Sequence, residues 1–221
     1  MVGMEKTLGT VTLGHFLKAA AMRYPGKEAV VDADKGTRRT YRELNVRVNS
    51  LANGLLGTGV KKGDFVAFLG YNGAEIVETS FALAKIGAVY APQVYRLSAR
   101  EIKELVQHIE ATTFIFGTEF NGLVDSIRSE LPTVHTYVAF GAEVPLFALD
   151  YEQMVAGNST AEPSVEVSED DPQYLNYTSG TTGLPKAYIL RHYNNTIGAP
   201  LQFDIFRRSE EHTSELQSPN T

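Results

Sequence analysis

The sequence contains no cysteine, and this absence excludes disulfide bonds, thiolate catalysis and cysteine-based metal sites. Histidine is also scarce: the five histidines are dispersed, without a pair at metal-ligand spacing. No apolar run approaches the roughly 18 residues that a membrane-spanning helix needs. The first residues lack the basic and apolar regions of a secretory signal peptide. We therefore expect a cytoplasmic protein without a transmembrane segment, and the sequence leaves peripheral membrane contact open.

Positive charge is in short supply as well. The 221 residues include 20 Lys and Arg against 26 Asp and Glu, a formal net charge of -6. Such a balance gives no electrostatic reason to expect binding to nucleic acid or to an anionic membrane surface. The hydrophobic share of 43% and charged share of 21% are typical of globular proteins. We expect small-molecule partners, and the oligomeric state stays open.

Most of the sequence alternates short apolar runs with amphipathic stretches. Residues 65–69 (FVAFL) form a nearly continuous apolar run, as expected of a parallel strand buried on both faces. Two capping boxes, Thr40 with Glu43 and Ser98 with Glu101, mark helix starts. Further strands are predicted at residues 28–32, 89–91, 113–116 and 136–140. Helices are predicted at about residues 13–24, 41–57, 73–86, 99–109 and 120–131. This alternation predicts an α/β fold, a layered and mostly parallel sheet flanked by helices.

Carboxylates are concentrated in two places. Residues 157–171 hold five carboxylates, no basic residue and no periodicity, so we interpret them as an acidic linker. Glu75 and Glu78 lie three positions apart on the predicted helix over residues 73–86. Paired carboxylates can serve acid–base catalysis. On a surface helix this spacing instead favours a solvated face, and we expect Glu75 and Glu78 to be solvated.

Residues 177–186 read YTSGTTGLPK, with three glycines, four Ser or Thr hydroxyls and a terminal lysine. Glycine lets the backbone come close to a ligand, and successive amide groups form a concave nest that suits phosphate. The candidate phosphate ligands are Thr178, Ser179, Gly180, Thr181, Thr182, Gly183 and Lys186. The Walker spacing is absent, because two residues separate Gly183 from Lys186. Since the flanking residues look like short strands, we predict a phosphate loop between two strands, with a plain turn as the alternative.

This loop closely resembles the phosphate-loop signature of the adenylate-forming (AMP-binding) superfamily, which includes acyl-CoA synthetases, luciferases and peptide-synthetase adenylation domains. Ala187 departs from the glycine usual in the family, which costs nothing in a strand but ~1 kcal/mol or more at positive φ. Residues 87–98 (GAVYAPQVYRLS) resemble the segment that acyl-CoA ligases write as GAVxxPLNxRLS, with Gln93-Val94 in place of Leu-Asn. The resemblance covers about residues 8–206 and is closest to fatty-acid (long-chain) acyl-CoA synthetases.

The resemblance implies that residues 1–207 are an incomplete AMP-binding domain, the first half of the large N-terminal domain of an adenylate-forming enzyme. It implies ATP, Mg²⁺ and CoA, the last as co-substrate. A fatty or other hydrophobic carboxylic acid would become an acyl-adenylate and then an acyl-CoA. The family's metal ligand, acyl pocket and catalytic lysine lie downstream, so we expect this chain alone to be inactive. The alternatives are a non-catalytic nucleotide- or pyrophosphate-binding fragment and an adenylation domain for another carboxylate.

His192 follows the loop and matches a family histidine near the acyl-adenylate site. On this resemblance His192 is the candidate catalytic residue of the chain. Histidine also serves often as a cap or a core side chain, here at the start of the next helix, and this is the alternative.

Residues 208–221 (RSEEHTSELQSPNT) differ in character from the rest of the sequence. They are polar and have neither a helical nor an alternating apolar pattern. Their first eleven residues match the in-frame translation of a sequencing-library adapter. We therefore expect a non-native, disordered tail and exclude it from the fold, as is done for fusion scars.

Overall fold

The computed structural model describes residues 11–178 and 186–196, and only the backbone of Thr178. Within these ranges the strands are β1 (Glu28–Asp32), β2 (Thr37–Thr40), β3 (Phe65–Leu69), β4 (Val89–Pro92), β5 (Thr113–Gly117), β6 (Thr136–Phe140), β7 (Leu149–Asp150), β8 (Pro172–Thr178) and β9 (Lys186–Arg191). The helices are α1 (Leu13–Arg23), α2 (Tyr41–Gly57), α3 (Ala74–Ile86), α4 (Ala99–His108), α5 (Asn121–Ile127) and α6 (Tyr151–Gly157).

A seven-stranded sheet in the order β7-β6-β5-β3-β4-β8-β9 forms the centre of the described part of the chain. From β7 to β8 every neighbouring pair is parallel, and β9 runs antiparallel to β8 at the edge. Strands β1 and β2 form a separate antiparallel ribbon. The prediction of a layered, mostly parallel α/β sheet is confirmed.

Helices cover both faces of this sheet, and strand β3 shows why its sequence is apolar throughout. Successive residues of a strand point to opposite faces. Val66 and Phe68 therefore join the core under α1, α2, α3 and α6. Ala67 and Leu69 join the core under α4 and α5. All four side chains are buried, so the run has no polar position.

Local helix signals in the sequence are confirmed at atomic detail. Thr40 Oγ1 accepts from the Glu43 amide at 3.3 Å, and Glu43 Oε2 accepts from the Thr40 amide at 2.8 Å. Ser98 and Glu101 repeat this reciprocal arrangement at the start of α4. Gly87 ends α3 with φ 70°, a left-handed conformation that glycine adopts without strain.

Other elements differ from the sequence-based expectation. The helix predicted over residues 120–131 is divided: short 3-10 turns at Thr118–Phe120 and Arg128–Glu130 flank the two turns of α5. Strand β2 reads TRRT and has no apolar residue, so no hydrophobic pattern indicates it. Strand β7 has only two residues. Both strands exist because a neighbouring strand offers hydrogen bonds, which is a tertiary effect.

Glu78 contradicts the expectation of a solvated carboxylate. The residue is 1% exposed. Arg47 of α2 donates two hydrogen bonds to the Glu78 carboxylate, from Nε to Oε1 at 2.6 Å and from Nη2 to Oε2 at 2.9 Å. The Tyr151 hydroxyl donates a third to Oε2 at 3.1 Å. A carboxylate can be buried when it is paired and hydrogen-bonded in this way. Its partners lie 31 and 73 positions away in sequence, so helix spacing alone could not reveal them.

The acidic segment before β8 is irregular, as expected, but hydrogen bonds and an ion pair hold it against the helices. Residues 158–171 form neither helix nor strand. Asn49 donates to the Thr160 carbonyl at 2.9 Å, and Asn53 donates to the carbonyls of residues 159 and 161 at 2.8 and 2.9 Å. Lys85, which is 7% exposed, pairs with Glu162 at 2.6 Å. These bonds hold the segment along α2 and fix the point at which β8 begins.

We predict that Glu78→Gln lowers the free energy of unfolding by about 2–3 kcal/mol. Breaking a buried ion pair costs about 3–5 kcal/mol, and Arg47 keeps a partial substitute in Glu152, at 2.7 Å. The matched control is Glu75→Gln on the same helix. The Glu75 side chain is partly buried, at 18% exposed, but its partner Lys35 is 51% exposed, so water screens the pair and a smaller loss of about 1 kcal/mol is expected. Urea unfolding of both variants measures the difference, and equal losses would contradict the role given to Glu78.

Candidate functional site

The hairpin of β8 and β9 carries the predicted phosphate loop. Thr178 and Lys186 are opposite each other in the antiparallel register and close the hairpin. The loop thus connects two strands, as predicted, and does not lead from a strand into a helix. Residues 179–185 lie outside the described residues, and with them the predicted ligands Ser179, Gly180, Thr181, Thr182 and Gly183. Of the other predicted site residues, Lys186 and His192 are described, and Thr178 by its backbone.

The position of the hairpin brings the loop to the carboxyl edge of the sheet. Strand β8 is parallel to β4, with Tyr174 beside Tyr90. The end of β8 at Thr178 therefore lies at the same edge as Gln93, which follows β4. Strand β3 also ends at this edge, because β3 and β4 are parallel. Ligands of open α/β sheets bind in crevices outside the carboxyl ends of the strands.

An aromatic cavity of about 430 Å³ opens beside the hairpin at this edge. Its lining includes Phe68, Tyr90, Tyr95 and Tyr174, together with Gln93. Burial raises the pKa of Tyr90, which keeps its phenol neutral. The Tyr90 hydroxyl and Gln93 Oε1 are buried and find no hydrogen-bond partner among the described residues. Mostly apolar walls with a few polar atoms are typical of small-molecule cavities.

Ala187 fits the hairpin without strain. It lies in β9 opposite Tyr177. Among the described residues other than glycine, positive φ is found at Glu110 and not at Ala187. The methyl group in place of the family's usual glycine therefore has no backbone cost here.

Lys186, which the sequence predicts as a phosphate ligand, is described at the end of the hairpin. It is the first residue of β9, it is exposed, and it stands directly across the hairpin from Thr178. A lysine ammonium is a mobile point charge with three donors. The hairpin register thus sets a lysine directly after the segment predicted as the phosphate loop.

His192 lies at the other end of β9. It is six positions after Lys186, which corresponds to roughly 20 Å at about 3.3 Å per residue in an extended strand. The side chain is 0% exposed, and its Nδ1 accepts from the Leu13 amide of α1 at 3.2 Å. His192 also begins the helical turn over residues 192–196. These contacts favour the helix-start and core role over a place beside the acyl-adenylate, and the structure does not bring His192 together with Lys186.

The surroundings keep His192 neutral. Burial lowers its pKa to about 4, and the charges of His15 and Lys62 act in the same direction, against the attraction of Asp171. Because Nδ1 accepts a hydrogen bond, the proton of the neutral ring is on Nε2. That nitrogen is buried without a partner among the described residues. No sequence pattern could indicate the pairing with Leu13, which lies 179 positions away.

In residues 11–178 and 186–196, no group of three or more His, Cys, Asp or Glu side chains could hold a metal ion. We therefore assign no residue of this part to Mg²⁺. Within the same part of the chain, no helix is both long and apolar enough to span a bilayer.

Comparison with known proteins agrees with the hairpin signature. The sequence model of a family described as AMP-binding enzyme matches residues 17–215. The chain belongs to the AMP-binding enzyme family. The family match confirms the resemblance to adenylate-forming enzymes that the loop sequence indicates. The relatives described below are named as acid–CoA ligases.

Two relatives illustrate the range of acids in this AMP-binding family. The long-chain-fatty-acid–CoA ligase of Thermus thermophilus is 37% identical over 184 residues, which cover 82% of this chain and 34% of that protein. The 3-hydroxybenzoate–CoA/4-hydroxybenzoate–CoA ligase of Thauera aromatica is 34% identical over 168 residues, covering 76% of this chain and 32% of that protein. The chain thus spans about a third of the length of these curated relatives.

Solved AMP-binding enzymes share the fold. An anthranilate–CoA ligase in complex with anthranoyl-AMP superposes with a TM-score of 0.83 at 27% identity, over 87% of this chain and 37% of that chain. A putative long-chain-fatty-acid–CoA ligase from Rhodopseudomonas palustris gives a TM-score of 0.81 at 29% identity, over 92% of this chain and 50% of that chain. The sheet described above is that of the N-terminal domains of adenylate-forming enzymes.

We predict that wild-type protein loses stability relative to His192→Gln as the pH falls from about 6.5 to about 4. The unfolded histidine takes up a proton near its ordinary pKa of about 6.5, whereas the folded one stays neutral down to about 4. The unfolded state therefore binds more protons in this window, and the free energy of unfolding decreases by about 2–3 kcal/mol across it. Glutamine does not titrate and keeps an acceptor for the Leu13 amide.

Urea unfolding of both proteins between about pH 7 and about pH 4.5 measures this difference. The charged neighbours of His192, which are Asp171, His15 and Lys62, are present in both proteins. Their effects on stability therefore largely cancel in the comparison. Parallel pH curves would show that His192 is accessible to protons in the folded state.

Proposed function

We propose that the chain is the phosphate-binding front part of an ATP-dependent carboxylate–CoA ligase. One observation carries the proposal: the hairpin register sets Thr178 opposite Lys186 at the carboxyl edge of the sheet, at the two ends of the signature loop. In the proposed site, Thr178, Ser179, Gly180, Thr181, Thr182 and Gly183 bind the β- and γ-phosphates of ATP, and Lys186 anchors them.

The proposed reaction has two steps. A carboxylate oxygen attacks the α-phosphate of ATP, and the bond to the β-phosphate breaks, which gives acyl-adenylate and pyrophosphate. The thiol of CoA then displaces AMP and forms the thioester. Little covalent chemistry is left to the protein, so its contribution is to position the reactants and to stabilise charge. The loop acts where negative charge accumulates, on the leaving pyrophosphate. Mg²⁺ belongs to the proposal as the partner of the triphosphate, and no described residue is assigned to it.

For the acid itself we propose a hydrophobic carboxylate, with a fatty acid as the first choice. The relative from Thermus thermophilus supports a fatty acid by its name, and the relative from Thauera aromatica supports an aromatic acid by its own. The aromatic walls of the cavity beside the hairpin suit an apolar substrate of either kind. For this chain by itself we propose binding of polyphosphate without turnover, because it spans about a third of its relatives' length.

We predict that the chain binds inorganic pyrophosphate and that Lys186→Ala weakens this binding about tenfold. Loss of a charge-assisted hydrogen bond of about 1.5 kcal/mol at an exposed site gives a change of this size. The matched control is Lys61→Ala, an exposed lysine that precedes β3 at the opposite edge of the sheet. It removes the same charge and should leave the Kd unchanged. Isothermal titration calorimetry measures the Kd for pyrophosphate of wild type and both variants. Equal weakening by the two variants would show that Lys186 contributes only non-specific charge.

In the chain extended to the length of its relatives, Lys186→Ala should slow adenylation on the order of 10- to 150-fold, from the loss of about 1.5–3 kcal/mol in the transition state. The second half-reaction, started from preformed acyl-adenylate and CoA, contains no β- or γ-phosphate and should change little. Single-turnover experiments separate the two steps. Equal slowing of both would mean that Lys186 supports the fold or a domain movement rather than the phosphates.

A further inference from the structure

Three segments of the chain meet at His192. Its Nδ1 accepts from the Leu13 amide at the start of α1, at 3.2 Å. Its own amide donates to the Asp171 carbonyl at 3.2 Å, and the next amide, of Tyr193, donates to the Glu169 carbonyl at 2.8 Å. His192 therefore ties the end of β9 both to the segment that leads into β8 and to a helix on the face of the sheet.

The rest of β9 is held by its antiparallel pairing with β8, at six register positions, and by the hydrogen bond that Asn176 Nδ2 donates to the Tyr188 hydroxyl at 2.6 Å. It is the last strand of the described sheet and pairs there with β8 alone. Its residues are exposed, apart from the half-buried Leu190, and Tyr188 and Ile189 are 43% and 47% exposed. Burial begins where the strand ends, with His192 at 0% and Thr196 at 5%. The described contacts at residues 192 and 193 add to this pairing a connection from the end of β9 to α1 and to the segment before β8.

We propose that the Leu13 amide and the His192 imidazole form an anchor that positions β9, and through it Lys186, for phosphate binding. The consequence for phosphate rests on the proposed function, whereas the anchor itself does not. In this arrangement His192 is a positioning residue. It acts through the strand that carries Lys186, and it reaches no substrate atom.

The chemistry of the anchor requires a neutral ring. Nδ1 is the acceptor, so the proton of the imidazole must reside on Nε2. Protonation of Nδ1 would replace the acceptor by a second donor facing the Leu13 amide. The burial of the ring, which lowers its pKa to about 4, keeps Nδ1 available at neutral pH.

The Leu13 amide can be removed by proline because Leu13 is the first residue of α1. At the first helical position the amide has no partner within the helix, so proline is tolerated there. The preceding Thr12 has φ -105° and ψ 166°, the extended conformation that a residue before proline prefers. Leu13→Pro therefore spares the helix and breaks the contact with His192, because it removes the N–H and puts the proline Cδ in the place of the amide hydrogen, facing Nδ1. Leu13→Ala is the control, since it shortens the side chain and keeps the N–H.

Three measurements on the 221-residue chain decide the proposal. Two-bond ¹H–¹⁵N spectra of the histidine rings should show a proton on Nε2 of His192. In Leu13→Pro the Nδ1 resonance should move to the position of a nitrogen that accepts no hydrogen bond. Amide exchange of residues 187–190 should accelerate in Leu13→Pro, and the Kd for pyrophosphate should rise about threefold to tenfold, as for one lost hydrogen bond. Leu13→Ala should behave as wild type in all three.

A second pair of variants, His192→Gln and His192→Ala, tests the anchor without proline, in case Leu13→Pro does not fold. His192→Gln retains an acceptor for the Leu13 amide and should rescue slow exchange in β9, whereas His192→Ala should not. Unchanged exchange in folded Leu13→Pro, or equal exchange in His192→Gln and His192→Ala, would overturn the anchor. If amide exchange in β9 accelerates in Leu13→Pro but the Kd for pyrophosphate stays the same, the anchor stands and its link to phosphate binding is overturned. Absence of pyrophosphate binding in wild type would defeat the proposed function, and the exchange data would still decide the anchor.

Discussion

The parallel pairing of β8 with β4 is the constraint on which the arrangement of the candidate site depends. Tyr174 lies beside Tyr90 in this pairing, and their rings are 5.6 Å apart. Because β8 runs in the same direction as β4, its end at Thr178 must lie at the carboxyl edge of the sheet. A loop with the same ten residues on an antiparallel neighbour of β4 would open at the opposite edge, far from the cavity and from the ends of β3 and β4.

The correct pairing of β8 requires that the chain arrives at its start in a defined place, and the acidic segment provides this. Residues 158–171 carry like charges and have no regular structure of their own, so they could not define a path alone. Side chains of α2 and α3 supply the partners, among them Asn49, Asn53 and Lys85. At the end of the segment, burial would raise the pKa of Asp171, but its ion pair with Lys62 and the Ser168 amide outweigh burial and lower it. Two acidic residues, Glu162 through Lys85 and Asp171 through Lys62, thus serve as anchor points along the path to β8.

Sequence reasoning succeeded where the determining interactions are local. The capping boxes involve residues three positions apart, the apolar run of β3 reflects its own two buried faces, and the signature that indicated the AMP-binding family is contiguous. It failed for Glu78 and could not find Leu13, because their partners are distant in sequence. Strand β2 was not predicted for a similar reason, because its sequence TRRT is extended only through its pairing with β1. A single sequence records what each residue is, and the tertiary pairing decides whether a carboxylate on a helix faces water or Arg47.

His192 has two interpretations, a catalytic residue near the acyl-adenylate from its motif and a core residue at a helix start from its geometry. A motif match locates a residue along the chain, a few positions after a loop. An extended strand then carries that residue away from the loop by about 3.3 Å per position, whereas a helix would have advanced only about 1.5 Å per position. The conformation between the two residues therefore decides whether proximity in sequence means proximity in space. Here β9 separates Lys186 from His192, so the two side chains lie at opposite ends of the strand, and the histidine contacts the start of α1.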